Sequence, residues 1–451
     1  MALCCSSCIS FKPEREAMAE DFTPAEFSKD TGVADQQTQW WKAFGSKTLN
    51  RLMEDAFLDN LTLEQAAARL EQAEASVRKS GAAGKIQLNG QAESSSRYTS
   101  NENGSFTDPY HTAGLYASYE LDLWGKLKSS EQASLASRDA TKFDLQTAAM
   151  TLSAELTQTY FQWLAQNEAL VVYESQLKSN RNKLTALERR YHTGQATSLA
   201  LLQQRQQVAA TEAKLPPVRA LIETSEHSIA ILTGKIPGTD LGLKPDTLPE
   251  LPPKPSAGLP AALLENRPDI QSARLQIETA DWNISEAKAA RLPAITLTGS
   301  ISTGGEDIDR LFDNWVSNLA AGIITPLIDG GARKAEVDRV TAISREKIAN
   351  YRLAVLQAIQ ETEDALSNEK YQADYLVALD KQYSAAQKSE TESIRRYQRG
   401  ILPYLDTLTA IVSRESLEIT HIQAKTSLLV YRIQLYRSLG GDWTFIMENE
   451  K

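Results

Sequence analysis

Few residues of this chain are of types and spacings that could do chemistry. Its three cysteines, Cys4, Cys5 and Cys8, crowd the N-terminus, so neither a disulfide framework nor a thiolate metal cluster can form in the body. His111, His192, His227 and His421 are scattered, and none belongs to an HExxH pair. The chain also lacks a P-loop and a dinucleotide fingerprint, so no cofactor, no resident metal and no enzymatic activity are expected. What recurs is a cluster of cationic, phenolic and glycine residues. Arg190, Tyr191 and Gly194 lie in RRYHTGQATSLALL at 189–202. Arg395, Arg396, Tyr397 and Gly400 lie in RRYQRGILPYLDTL at 395–408, followed by Leu402, Leu405 and Asp406. Each copy ends a long polar run spaced by leucines. Two copies in one context point to a duplicated device.

The duplication extends beyond these turns. Asn60 and Asn266, Gly125 and Gly331, Tyr191 and Tyr397, Gly194 and Gly400, Leu199 and Leu405, and Gly234 and Gly440 are each 206 residues apart. That period is far longer than a solenoid repeat. Each half reads as helix, hairpin, long helix, turn and helix. In the first half, 49–235, a strand hairpin spans 86–124, a long helix 127–192, a reversal lies near 194, and a helix spans 197–232. In the second, 261–441, the hairpin spans 294–328, the long helix 331–398, the reversal lies near 400, and the last helix spans 402–438. Residues 1–48 form an N-terminal arm with aromatic anchors, the proline-rich stretch 236–260 is a linker, and 442–451 is a tail.

The elements follow from pattern. Ile86, Leu88, Gly90 and Ala92 alternate with Gln87, Asn89, Gln91 and Glu93, which is the period of a strand with one wet face. Residues 99–111 are rich in turn formers, so the first strand is expected to stop before them. The second resumes at Ala113 and alternates to Leu123. Leu156, Trp163, Leu170, Leu177, Leu184 and Tyr191 are seven residues apart, a heptad seam. Such a helix is a rod of roughly 100 Å. Pro216 and Pro217 should kink or split the helix that follows. On the second long helix, Glu361, Glu363, Asp364 and Glu369 are candidates for a water-filled lumen or for ordinary surface.

Composition bounds the function. The 451 residues carry a net charge of −10 without a basic block, which disfavours a nucleic-acid partner. No run of 18 apolar residues offers a transmembrane helix. A β-barrel would leave only the weak alternation seen here. Each chain supplies four strands, too few to close a lipid-facing barrel. If the hairpins span a membrane, several chains must therefore pool them, usually by cyclic symmetry.

The stretch LLENRPDIQSARLQIETADWNISEAKAARLPAITLTGSIS at 263–302 resembles the outer membrane efflux protein (TolC-like) family. YELDLWGKLKSSEQA at 119–133, TPLIDGGARKAEV at 325–337 and the two RRY-x-x-G turns match further family segments in order. The resemblance covers about 40 to 443. It implies a membrane α+β fold: a homotrimer whose four strands per chain build one 12-stranded outer membrane β-barrel, continued by a long periplasmic α-helical barrel. It also implies a passive exit duct for drugs or other small molecules. The implied partners are a periplasmic membrane fusion (adaptor) protein, an inner membrane transporter of the RND type, and outer membrane lipid. SSCISFKP at 6–13 resembles the lipoprotein subgroup, with Cys8 as lipid anchor; Cys4 and Cys5 leave the acylated residue open.

In that family the turns lie at the periplasmic tip. The resemblance therefore implies a gate or constriction built from Arg190, Tyr191, Arg395, Arg396, Tyr397, Leu402, Leu405 and Asp406, with Gly194 and Gly400 reversing the helices. The two tyrosines are expected to pack between helices and donate hydroxyl hydrogen bonds. Three copies of Asp406 would form an acidic ring. Family members can carry a further carboxylate where this chain has Thr409 or Ala200, so Leu402 and Leu405 are an alternative apolar constriction. Two other readings stay open: a soluble coiled-coil scaffold or adaptor, and a duct for type I protein secretion.

Overall fold

Backbone pairing decides the strands. The computed structural model describes residues 39–102, 104–255 and 260–440; Cys4, Cys5, Cys8 and the tail 442–451 lie outside them. Strands β1 (Gln87–Asn101), β2 (Gly104–Leu121), β3 (Ala294–Gly305) and β4 (Trp315–Ile324) form one antiparallel sheet in the order β1-β2-β3-β4. The first hairpin is longer than its hydropathy pattern. Pairing continues through the expected turn at 99–111 to Asn101 opposite Gly104. Turn formers fill that stretch, and its aromatics Phe106 and Tyr110 share their face with Asp108, so apolar alternation stops there while backbone hydrogen bonding does not.

The register sorts the side chains of the sheet. Leu115 pairs with Ile301, Tyr119 with Leu297, Gly299 with Leu319 and Ile295 with Ile323. These residues share one face, because paired residues point the same way and successive ones alternate. Leu319 is 86% exposed, and Leu88, Trp315 and Ile323 on that face are also exposed. The opposite face carries Gln87, Asn89, Gln91, Thr298, Ser300 and Asn318. A sheet apolar outside and polar inside, ended by β1 and β4, matches one slice of a closed barrel. No helix among the described residues is long and apolar enough to cross a membrane.

Helices α1 (Lys47–Asp59), α2 (Leu61–Ala83), α3 (Lys126–His192), α4 (Ser198–Glu212) and α5 (Leu215–Leu232) belong to the first half of the chain. The second half has α6 (Pro260–Asn266), α7 (Pro268–Ala289), α8 (Ala332–Gln398) and α9 (Tyr404–Ser438). The helix expected over 197–232 is two helices. Pro216 and Pro217 sit in the first turn of α5, where their missing N–H groups leave no intrahelical bond unmade. Asn60 likewise divides α1 from α2. Its Oδ1 accepts from the backbone N–H groups of Thr62 (2.9 Å) and Leu63 (3.0 Å), while its Nδ2 donates to the Leu232 carbonyl (2.9 Å).

Two compact units arise. One comprises Ala67–Asp144 with Asp269–Ala354 and contains the sheet; the other comprises Leu145–Pro268, the chain from Val355 onward and the segment ending at Ala66. In the sheet unit, Ser272 donates to Asp144 Oδ1 (2.6 Å) and Ser344 to Asp281 Oδ1 (3.0 Å), tying α7 to α3 and α8. In the other unit an aromatic core closes around a short 3-10 helix, Trp40–Phe44. Trp40 stacks on Tyr436 at 5.2 Å, and Phe44 meets Phe161 edge-on at 4.9 Å.

The heptad seam is only partly a burial stripe. Leu156, Trp163 and Leu177 are buried, but Tyr191 is 42% exposed, and the buried position near the end of α3 is Leu187. A helix of 3.6 residues per turn drifts by about 20° per heptad against a seven-residue repeat, enough over five steps to turn Tyr191 off the seam. Of the acidic residues on α8, Glu369 is buried against Arg432. Glu361 accepts from Arg267 Nη1 at 2.7 Å, and Asp364 accepts from Gln360 on its own helix. The placement of Glu369 at a lumen or on ordinary surface is therefore corrected.

Candidate gate at the helix reversals

The two reversals are built alike. α3 ends with Gly194 at φ +73, and α8 ends with Gly400 at φ +73. Gly194 N–H donates to the Tyr191 carbonyl and Gln195 N–H to that of Arg190; Gly400 donates to Tyr397 and Ile401 to Arg396. This is the same left-handed helix stop, satisfying the last carbonyls, at the same positions of both repeats. The return helices start differently. Thr197 caps α4 by accepting from Ala200 N–H at 3.2 Å, whereas Pro403 starts α9 without a side-chain cap.

The tip residues divide into two groups. Arg190 lies with its Cζ 4.8 Å from the centre of the Tyr397 ring, a cation–π contact joining the first repeat to the second. Tyr397 in turn meets Tyr404 edge-on at 5.2 Å. Arg395 and Arg396 instead pair with Glu392 on their own helix, at 3.3 and 2.9 Å. Tyr191 faces His192 at 6.1 Å rather than packing between helices. Leu405 and Asp406 are exposed, Leu402 is half-buried, and Asp406 lies in the first turn of α9.

Sequence reasoning missed the hydroxyl that does cross between helices. Tyr404 donates to Gln204 Oε1 on α4. Burial, and then the neighbouring Tyr397, hold the Tyr404 phenol well above its usual range, so it keeps its proton and remains a donor. Gln204 Nε2 passes the chain on to the Asn180 carbonyl at 2.8 Å. Asn180 Nδ2 donates to Glu415 Oε1 at 3.0 Å, and Gln207 Nε2 donates to Glu415 Oε2 at 3.0 Å. Glu415 is 2% exposed. Burial pushes its carboxyl up, against the opposing charges of Lys183 and Arg414 and the two amides. Beside it, Arg414 Nε donates to Glu390 at 2.8 Å.

The sequence carries little signal of this network. Asn180 is a polar residue on the buried side of α3. Glu415 and Gln204 have alanines, Ala209 and Ala410, at their counterparts 206 residues away. Most neighbouring positions also differ between the halves, so the mismatch by itself does not single these residues out.

The arrangement is a clasp between repeats, with a carboxylate at a helix start beside it. Among the described residues no cluster of His, Cys, Asp and Glu could hold a metal. Across known proteins, the pyoverdine export outer membrane protein OpmQ of Pseudomonas aeruginosa is 32% identical, covering 90% of this chain and 87% of that protein. The probable outer membrane lipoprotein SilC of Salmonella typhimurium is 27% identical, with 97% and 96% covered. Among solved structures, the outer-membrane channel OprN superposes with a TM-score of 0.89 at 26% identity, covering 97% of this chain and all of that one. Residues 52–235 and 259–441 match the description "Outer membrane efflux protein". Both halves of the repeat fall within the match, and the chain belongs to the outer membrane efflux protein family.

Proposed function

We propose that the reversals are the closed gate of a passive exit duct for small molecules, held shut by the Arg190–Tyr397 clasp. The contact that carries the reading is the guanidinium of one repeat on the ring of the other at 4.8 Å. Proteins of this family are outer membrane exit ducts of tripartite efflux systems, homotrimers that work with a periplasmic adaptor and an inner membrane RND pump. They are channels rather than enzymes; this chain performs no covalent step, and the pump supplies the energy. Relatives are named for pyoverdine, cation and solvent export. That spread fits a duct whose cargo is chosen by its pump.

Quasi-symmetry extends the clasp around the ring. Arg396 and Tyr191 occupy, 206 residues away, the places of Arg190 and Tyr397, and both are exposed. Repeating the same contact between subunits places Arg396 of one subunit over Tyr191 of the next. Each such contact contributes about 0.5–1 kcal/mol. Losing three identical ones by Arg190→Ala or Tyr397→Ala is expected to raise the open probability of purified trimers in planar bilayers roughly tenfold or more. Arg396→Ala and Tyr191→Ala should do the same. Unchanged conductance in all four variants would remove the clasp from the gate.

Asp406 makes a separate prediction. Three exposed carboxylates at one level attract cations and repel anions. Asp406→Asn is expected to lower cation-over-anion selectivity, measured as the reversal potential under a salt gradient, by severalfold. An identical reversal potential would leave Leu402 and Leu405 as the constriction.

A further inference from the structure

Charged side chains of α3, α8 and α9 meet around Glu415. Glu390 of α8 and Glu418 of α9 both accept from Arg414, and Lys183 of α3 lies 3.6 Å from Glu390. Glu415 is 2% exposed, and its oxygens accept from neutral amides, Asn180 Nδ2 at 3.0 and 3.3 Å and Gln207 Nε2 at 3.0 Å. Lys183 and Arg414 act on it only across space. From α4 the junction receives the neutral groups Gln204, Gln207 and Thr211. Arg205 and Glu212 of that helix are exposed, in pairs with Glu188 and Arg181.

Glu390, Glu415 and Glu418 thus share Lys183 and Arg414, which leaves one negative charge in excess. One proton on Glu415, the carboxylate without a cation bonded to it, balances the cluster. Burial favours that proton. An acceptor for it is at hand: Asn180 Oδ1 is buried and has no donor among the described residues. A half-turn of the amide brings that oxygen to the place of Nδ2, 3.0 Å from Glu415 Oε1. Glu415 is also where the repeats grip each other, since Asn180 and Gln207 belong to α3 and α4 and Glu415 to α9. Parting the repeats admits water to the carboxyl, which then ionises as an ordinary one. We propose that proton uptake by Glu415 locks the gate closed and that proton release opens it. This regulation rests on reading the reversals as a gate. The closed form holds the proton more tightly than the open form. By linkage, acid favours closing, and the closed population falls as the pH rises above the usual carboxylate range.

Single-channel recording of the purified full-length trimer in planar bilayers, from about pH 5 to about pH 8, tests this. Wild-type open probability is expected to rise roughly fivefold or more across that range, because three copies act on one pore. Glu415→Gln keeps the shape and neutrality of the acid form, so its trimers should stay at the wild-type acid level at every pH. Lys183→Met removes a cation that opposes proton uptake, so its rise should move to higher pH. A merely loosened contact would instead raise opening equally at all pH values. A flat wild-type profile, a rise that persists in Glu415→Gln trimers that elute normally, or a pH-independent gain in Lys183→Met overturns the switch. If the profile is flat while Arg190→Ala opens the channel, the switch falls and the gate stands. If Glu415→Gln abolishes the rise while the clasp variants change nothing, the switch stands and the clasp falls.

Discussion

Gly234→Ala is expected to abolish recovery of folded trimer. Gly234 ends the helix α5 at φ +69, a conformation that costs a residue with a Cβ about 1–2 kcal/mol. Its surroundings add a steric cost. A Cβ there would sit 2.0 Å from the Asp59 carbonyl oxygen and 2.7 Å from its carbon. Both are backbone atoms, and neither can step aside. Asp59 is the last residue of α1, and the next residue, Asn60, caps α2 while holding the Leu232 carbonyl. Gly234 N–H and Lys235 N–H are themselves committed to Ile231 and Ala230. Strain and overlap together exceed about 3 kcal/mol, a large part of a typical 5–15 kcal/mol of stability.

The repeat supplies its own controls. Gly440, the counterpart, has φ +91, and a Cβ there would lie 2.7 Å from the Asn266 carbonyl oxygen, so Gly440→Ala should do less harm. Gly194 and Gly400 share φ +73, but a Cβ at either meets nothing within 4 Å. Their alanine variants should lose only the cost of the dihedral, about 1–2 kcal/mol, and still yield trimer. Thermal unfolding and trimer yield of the four variants order them. Equal losses at all four would mean that the close approach of α5 to α1 contributes nothing.

These glycines illustrate what was legible. The constant offset of 206 picked out Asn60 and Gly234, because a duplicated hinge keeps its residue types in step. It could not show that Asn60 reaches back to Leu232, since that contact joins positions 172 residues apart. The same limit governs the tip. Arg190, Tyr397 and the two glycine stops stood out by recurrence, but Tyr191 and Tyr397 looked equivalent. They differ because the structure sets Arg190 against only one of them. Tyr404, Gln204, Asn180 and Glu415 drew no attention, since each is single-copy and its partners come from other helices. In the first hairpin, hydrophobic alternation located the part of each strand with one apolar face. It missed 99–101 and 104–111, where turn-forming residues interrupt the apolar pattern and only the continued pairing out to Asn101 and Gly104 defines the strands.

Arg432→Met is expected to destabilise the unit formed by α8, α9 and the linker by about 3–5 kcal/mol, the cost of leaving one charge of a buried pair without its partner. Arg432 is 2% exposed. Its Nε and Nη2 donate to the two Glu369 oxygens, both at 2.8 Å, and its Nη1 donates to the Pro252 carbonyl. One guanidinium thus holds α9 to α8 and fastens the proline-rich linker to both. The duplicated fold has two sets of helices but one linker, so this clamp has no second copy. Glu226, 206 residues before Arg432, accepts from Trp163 Nε1 at 3.0 Å instead. Glu369→Gln should cost less than Arg432→Met, because its amide oxygen still accepts one of the two guanidinium bonds. The double variant Arg432→Met/Glu369→Leu removes both buried charges and should recover most of the loss. It cannot restore the donor to Pro252, so its linker should remain more open to limited proteolysis than that of wild type. Thermal unfolding of the two singles and the double measures the coupling. A coupling below about 0.5 kcal/mol, with wild-type proteolysis in every variant, would show that packing alone fixes the linker. The expected pattern separates two roles of one side chain: helix pairing that a hydrophobic pair can replace, and linker anchoring that it cannot.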